Sequence, residues 1–341
     1  MAKVKFDCLP TMVGTMPQTN AKEACEMVLK YLKDVPAWPQ LPKRSYLENM
    51  YVQVSEGFPG ITVEEGKIFV DRNKDIETPL ERLYSAYLEN NFYKFPISKD
   101  YAAGLHQFLI YKDLNVQAVK GQIVGPVTWG MTVADNDGKA IAYDDVLGDA
   151  CAKLLKLKVS WMEEELRQIS KNTIIFVDEP YLTSLGSSFF ALNKEKVLTL
   201  IGEVFSGIRG LKGIHCCGNS DWSFILQTGA DILSFDAYNY ASSLALYLQD
   251  VKKFISIGGV VAWGIVPNEE ESLKKESAAS LQDRLEEAMA PFTRKGSDIP
   301  FKELKSQSLL TPSCTLSNLS IEAAKTALEL LNGLSDRMRR K

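Results

Sequence analysis

The chain carries two histidines, and one of them, His215, stands in Gly-Ile-His-Cys-Cys-Gly-Asn (213–219) beside two of its six cysteines. If this stretch is a strand, side chains two positions apart project to the same side, so His215 and Cys217 point together and Cys216 points away. An imidazole and a thiolate side by side suit a soft, tetrahedral ion, zinc above all. Two ligands do not complete a site. Cys314 in Leu-Leu-Thr-Pro-Ser-Cys (309–314) and Asp236, which closes Asp-Ile-Leu-Ser-Phe-Asp (231–236), are the candidates to join them. Structural zinc sites are usually closed by local cysteine pairs. Ligands scattered over three strand ends, with a carboxylate among them, fit a catalytic site with an exchangeable position better. Two other readings stay open at this point. His215 would serve as base to a cysteine nucleophile, but no orienting carboxylate lies in sequence reach. Or the cluster is ordinary core, where cysteines are common.

Other residues have chemical and plain readings side by side. Asp178 and Glu179 end an apolar run, Thr-Ile-Ile-Phe-Val-Asp-Glu-Pro (173–180), as a binding pair or as a solvated turn. His106 falls in a helical pattern and reads as structural. Trp129, Trp222 and Trp263 lie near strand ends, where packing at a rim is the plainer role than a flat cofactor surface. Cys8, Cys25 and Cys151 read as small buried hydrophobes.

The elements that would carry these residues alternate. Strands are expected at 9–14, at Val-Gln-Ala-Val-Lys-Gly-Gln-Ile-Val up to the Gly125-Pro126 breaker, at 173–180, at Leu-Lys-Gly-Ile-His-Cys-Cys-Gly, and at 231–239, 254–267 and 307–314. Amphipathic helical patterns separate them, the longest from Asp144 to Lys171. Strands apolar on both faces and alternating with helices imply a parallel sheet covered by helices. No G-x-G-x-x-G follows the first strand, which disfavours an open dinucleotide-binding sheet. Glu179, His215, Asp236 and Cys314 gather at the ends of different strands, and a closed (β/α)8 TIM barrel brings such ends to one point. One catalytic barrel over 1–341 is therefore expected, with the Pro-rich and then strand-like segment 35–75 as an insertion or hairpin over one rim.

Bulk composition narrows the partners. Over 341 residues, 39 basic and 43 acidic side chains give a net charge of -4 with no block of either sign. This argues against nucleic acid and against an anionic membrane surface. The start lacks a secretory h-region and no apolar run is long enough to span a bilayer, so a cytoplasmic protein with reduced cysteines is expected.

The motifs in combination resemble the cobalamin-independent methionine synthases, within the superfamily that includes uroporphyrinogen decarboxylase and the methylcobalamin:coenzyme M methyltransferases. His-Cys-Cys-Gly-Asn and Thr-Pro-Ser-Cys are similar to that family's zinc-binding H-x-C…C pattern. Thr-Met-Val-Gly-Thr-Met-Pro-Gln-Thr (11–19) resembles its first-strand I-G-S-F-P-Q-T, and Val-Asp-Glu-Pro-Tyr-Leu (177–182) its I-D-E-P-A-L. Gly-Pro-Val-Thr (125–128) matches a shared G-P-x-T strand end, and Val-Gln-Val-Ser-Glu-Gly (52–57) a segment with a substrate-binding glutamate. The resemblance implies zinc held by His215, Cys217 and Cys314, with Asp236 or water in the labile place. It implies homocysteine held by Gly14, Thr15, Glu56 and Asp178.

Departures from the family change the expected donor. The chain matches only the C-terminal, catalytic barrel, and the family's proton-donating histidine is replaced by Ile265 in Trp-Gly-Ile-Val-Pro (263–267). That proton assists departure of a folate amine, whereas a methylcorrinoid leaves as cob(I)alamin and needs none. The short form resembles single-barrel core methionine synthases, which implies methylcobalamin or a corrinoid protein as methyl donor. Methyltetrahydrofolate as donor and coenzyme M as acceptor are the alternatives. A tetrapyrrole decarboxylase would grip acidic side arms with N-terminal arginines, and none precedes Arg44. A corrinoid carrier would show D-x-H-x-x-G, which is absent.

Overall fold

The computed structural model describes residues 5–340 except 65, 188, 189, 295 and 296, so the ends of the expected 1–341 domain and residue 65 of the 35–75 segment lie outside it. Ten strands occur among the described residues: β1 (Leu9–Pro10), β2 (Ile61–Glu64), β3 (Lys67–Val70), β4 (Val119–Val124), β5 (Ala134–Asp135), β6 (Thr173–Asp178), β7 (Leu211–Cys216), β8 (Ile232–Phe235), β9 (Val260–Val266) and β10 (Ser308–Pro312). Seven of them form one parallel, curved sheet in the order β1-β10-β9-β8-β7-β6-β4. Helices pack outside it. The longest, Asp145–Leu166, is capped by Asp144, whose carboxylate accepts from the N–H groups of Val146 and Leu147. Strands β4, β6, β9 and β10 are buried at every position, as a sheet covered on both faces requires. Phe6, Leu9, Ile174, Phe176 and Leu309 form a compact apolar plug inside the curve, while the larger core lies between sheet and helices.

The α/β class and the TIM-barrel-like sheet agree with the sequence. Closure into eight strands does not. The sheet is a half-barrel of seven strands, and among the described residues the backbone bridges between its edges β1 and β4 run through residues 36–40. Single bridges join Thr15 to Gln40 and Ala37 to Lys120, supported by Gln40 N–H to Gly14 O at 3.0 Å and Trp38 N–H to Lys120 O at 3.2 Å. Pro36 and Pro39 have no N–H to give, so no continuous ladder forms at the eighth place.

Further along the 35–75 segment, β2 and β3 make an antiparallel hairpin, and β3 pairs in parallel with β5 in a separate three-stranded sheet. Several strands are shorter than their apolar runs, and β1 stops at Pro10 of the run 9–14. The run at 231–239 turns helical at Ala237, where Asp236 caps Ala237–Leu244, and the run at 254–267 begins inside the helix Leu248–Ser256. Trp129, Trp222 and Trp263 are fully buried, each indole N–H donating to a protein oxygen, which fits packing. His106 lies in the helix Ala103–Phe108 with Nε2 2.9 Å from Ile97 O. No helix among the described residues is long and apolar enough to cross a membrane.

Candidate metal centre and substrate cavity

Strand β7 ends at Cys216, which puts Cys217 just past the ladder and His215 inside it, in register with Asp178 on β6 and Ser234 on β8. His215 is only 2% exposed. Its Nδ1 lies 2.9 Å from Ser234 Oγ, which fixes the ring and turns Nε2 toward Cys314 Sγ, 3.7 Å away. The ligand atoms of His215, Cys217 and Cys314 all lie within 4.8 Å of one another. In a tetrahedral zinc site, with bonds of about 2.0 Å to nitrogen and 2.3 Å to sulfur, those two atoms sit about 3.5 Å apart. The donors present therefore fit a soft four-coordinate ion with one position left over.

The two half-exposed thiols differ sharply. Cys217 is held down to about 4, first by the hydrogen bond from Cys314 and then, against burial, by His215. Cys314, the proton holder of the pair, is raised well above the usual thiol range. One sulfur thus has thiolate character before any ion arrives, as ligation requires. Cys216 points away into the core, where burial pushes its thiol up to about 12. The alternation expected for a strand holds.

A cavity of about 240 Å³ opens over these three residues. Val13, Pro42, Met50 and Pro180 give it apolar walls, and Asp178 is the one charged carboxylate among its described lining residues. Burial lifts the Asp178 carboxyl to about 6, against the pull of His215 and Lys120. Its Oδ1 is buried and meets no hydrogen-bond donor, an arrangement that costs free energy unless a ligand supplies one. Thr15 also lines the cavity, its hydroxyl paired with that of Thr315 next to Cys314.

Other sequence candidates fall elsewhere. Asp236 is outside the three-residue cluster. Its Oδ1 accepts from Asn239 N–H at 2.9 Å and its Oδ2 from Asn239 Nδ2 at 2.7 Å. Glu56 lines a different cavity, of about 760 Å³, and accepts from Ser98 N–H at 3.3 Å. Glu179 turns its back on the site: its carboxylate takes the N–H groups of Val127 at 2.9 Å and Thr128 at 2.7 Å, the first turn of the helix Pro126–Thr132. A Cβ on Gly125 would stand 2.2 Å from Glu179 Oε1, so the Gly-Pro-Val-Thr stretch and the glutamate form one structural unit.

Two interior groups escaped the sequence reading. Lys120 is fully buried under the cavity, its Nζ donating to Val13 O at 2.7 Å and to Gln122 Oε1 at 3.1 Å. Gln122 in turn donates to Trp38 O at 3.0 Å. Burial pulls the Lys120 ammonium down to about 7, with Asp178 pulling it back up. The available signal was a pair of polar residues at i and i+2 in the run Val-Lys-Gly-Gln-Ile-Val, which share one face of a strand. Gln40 and Asn49, also unforeseen, line the cavity from within the 35–75 segment.

No protein-family model matches the chain, and no curated protein matches it in sequence. Solved structures match its fold. A B12-independent methionine synthase from Shewanella sp. W3-18-1, in complex with selenomethionine, gives a TM-score of 0.56 at 13% identity, over 97% of this chain and 98% of that one. A methyltransferase from Methanosarcina mazei gives 0.55 at 15% identity, over 97% and 94%. At such identities the likeness is one of fold.

Proposed function

We propose that the chain is a zinc-dependent thiol methyltransferase of the methionine synthase-like superfamily, which makes methionine by passing a methyl group from a methylcorrinoid, free or protein-bound, to homocysteine. The observation that carries this reading is the convergence of His215, Cys217 and Cys314 at a small cavity whose buried acceptor, Asp178, lacks a donor. The two fold neighbours, a methionine synthase and a methyltransferase by name, support the same class.

His215, Cys217 and Cys314 would hold the zinc. When bound, the ion lets a thiol lose its proton near neutral pH, where a free thiol of pKa about 8.5 is mostly protonated, while leaving the sulfur nucleophilic. Ser234 keeps the imidazole turned to its duty. Both oxygens of Asp236 are engaged by Asn239, so this carboxylate would not join the three donors. Asp178 receives the substrate ammonium, and the Gly14–Thr15 segment faces the carboxylate. Val13, Pro42, Met50 and Pro180 keep water from the reacting sulfur. The homocysteine sulfur would accept the methyl group as the donor's bond to it breaks, the bonding pair leaving with the donor and the thiol proton passing to solvent.

The described residues of the cavity include no lysine or arginine, so the sulfonate of coenzyme M would meet Asp178 and no cationic side chain. An amino-acid thiol fits that charge. For the donor, Ile265, a buried apolar side chain, takes by motif resemblance the place of the family's proton donor for a folate amine. Chain length does not decide the matter, since the Shewanella protein named B12-independent is of similar length. The test is a matrix crossing methylcobalamin and methyltetrahydrofolate with homocysteine and coenzyme M on zinc-loaded protein. Methionine from methylcobalamin and homocysteine is the expected main product. Methylation of no thiol would end the proposal, and robust folate activity would replace the donor.

A further inference from the structure

The cavity presents a problem of charge. An amino-acid substrate brings an ammonium and a carboxylate; Asp178 answers the first, and no cationic side chain among the described lining residues answers the second. One basic side chain does lie behind the wall. Lys120 is wholly buried, and its donors go to the Val13 carbonyl, to the Gln122 amide oxygen and toward the ring of Phe176, whose centroid is 4.1 Å from Nζ. None of these partners is an anion. Burying an ammonium without a hydrogen-bonded carboxylate costs several kcal/mol, and stapling a carbonyl needs no charge, as Gln122 demonstrates on Trp38.

The place of this lysine in the fold is equally specific. It lies at the seam between β1 and β4, where the backbone ladder through residues 36–40 is a pair of single bridges. Val13, whose carbonyl it grips, precedes Gly14 and Thr15. A Cβ on Gly14 would stand 2.4 Å from Gln122 Cδ, so the Lys120–Gln122 pair sets how deep that wall sits.

We propose that Lys120 is a positioning residue for the acid end of the substrate: it pins the Val13–Thr15 wall and supplies, through it, the positive potential that the substrate carboxylate meets. The inference rests on the homocysteine reading of the same cavity. It makes Lys120 and Asp178 a split pair, one behind the wall and one within the cavity, that together select a zwitterion.

The test compares binding of methionine with that of 3-(methylthio)propylamine, which lacks the carboxylate, to zinc-loaded protein by calorimetry. Substituting Lys120→Met keeps the stem and removes the charge, and because it leaves the buried Asp178 carboxylate without its neighbour, the thermal midpoint of each variant is read beside its binding. Methionine affinity is expected to fall about tenfold or more, the scale of one charge-assisted interaction. The amine is expected to bind as before or more tightly, because a repelling charge has gone, and zinc content is expected to stay the same. Lys120→Gln, which retains a donor toward Val13, is expected to lose methionine affinity while sparing the amine in the same way. Equal losses for both ligands, in either variant, would mean a loosened sheet and overturn the inference. So would unchanged methionine binding. If methionine fails to bind the unsubstituted protein, it is the homocysteine reading itself that falls.

Discussion

The imidazole of His215 brings Nε2 to 3.7 Å from the sulfur of Cys314, although 99 residues of chain separate them. Parallel strands make this possible. β7 and β10 run the same way in one curved sheet, so residues at their carboxyl ends meet over the same mouth. Ser234, one strand over, holds the other ring nitrogen at 2.9 Å, and the two contacts together leave the ring little choice of orientation.

Metal content follows from this geometry. Purified protein should carry about one zinc per chain, and Cys217→Ser and Cys314→Ser should each lose most of it, since a hydroxyl is a poor replacement for a thiolate. Ser234→Ala should weaken zinc binding about 10- to 100-fold, the usual cost of removing a group that orients a ligand histidine. Competition with a chelator, read by metal analysis, measures both. Unaltered zinc in the two cysteine variants would remove the site.

Acid should weaken amino-acid binding through Asp178. Burial raises its carboxyl from 3.8 to about 6, so it is an anion above that pH and a neutral acid below it. Methionine affinity should therefore hold above about pH 7 and fall about tenfold per unit below about 6. The amine-free 4-(methylthio)butanoate should escape that fall and so report any acid release of the metal. Asp178→Asn should weaken methionine at pH 8 and flatten the profile. Parallel titrations for both ligands would assign the pH effect to another group.

Glu179 should matter to the fold and little to the metal. Glu179→Gln puts an amide N–H against one of the two backbone donors it now accepts, from Val127 or Thr128, at a cost of about 1–3 kcal/mol. Calorimetry should find a thermal midpoint lowered by a few degrees, with zinc content unchanged. A variant that melts normally yet loses zinc would move Glu179 into the site.

The sequence made some of this legible because two periodicities are strong. Apolar runs placed six of the seven sheet strands to within a few residues, and the two-residue repeat of a strand separated His215 and Cys217 from Cys216. What stayed hidden depends on long-range packing. The half-open sheet follows from prolines at 36 and 39 falling where an eighth strand belongs, beside an edge that composition cannot reveal. Glu179 sits next to Asp178 in Asp-Glu-Pro and is still structural, because alternation sends it to the opposite face, against the 126–132 helix. Glu56 matched a motif and yet faces a cavity of its own. Lys120 hides in an apolar run, where the period said only that it shares a face with Gln122.

X-ray absorption at the zinc edge counts the sulfur neighbours of the ion. Zinc-loaded protein alone should show two sulfur neighbours and one imidazole, with a light atom in the remaining place. On addition of homocysteine the sulfur count should rise from two to three. A count that stays at two, or an ion with no sulfur neighbours from the start, would contradict the proposal.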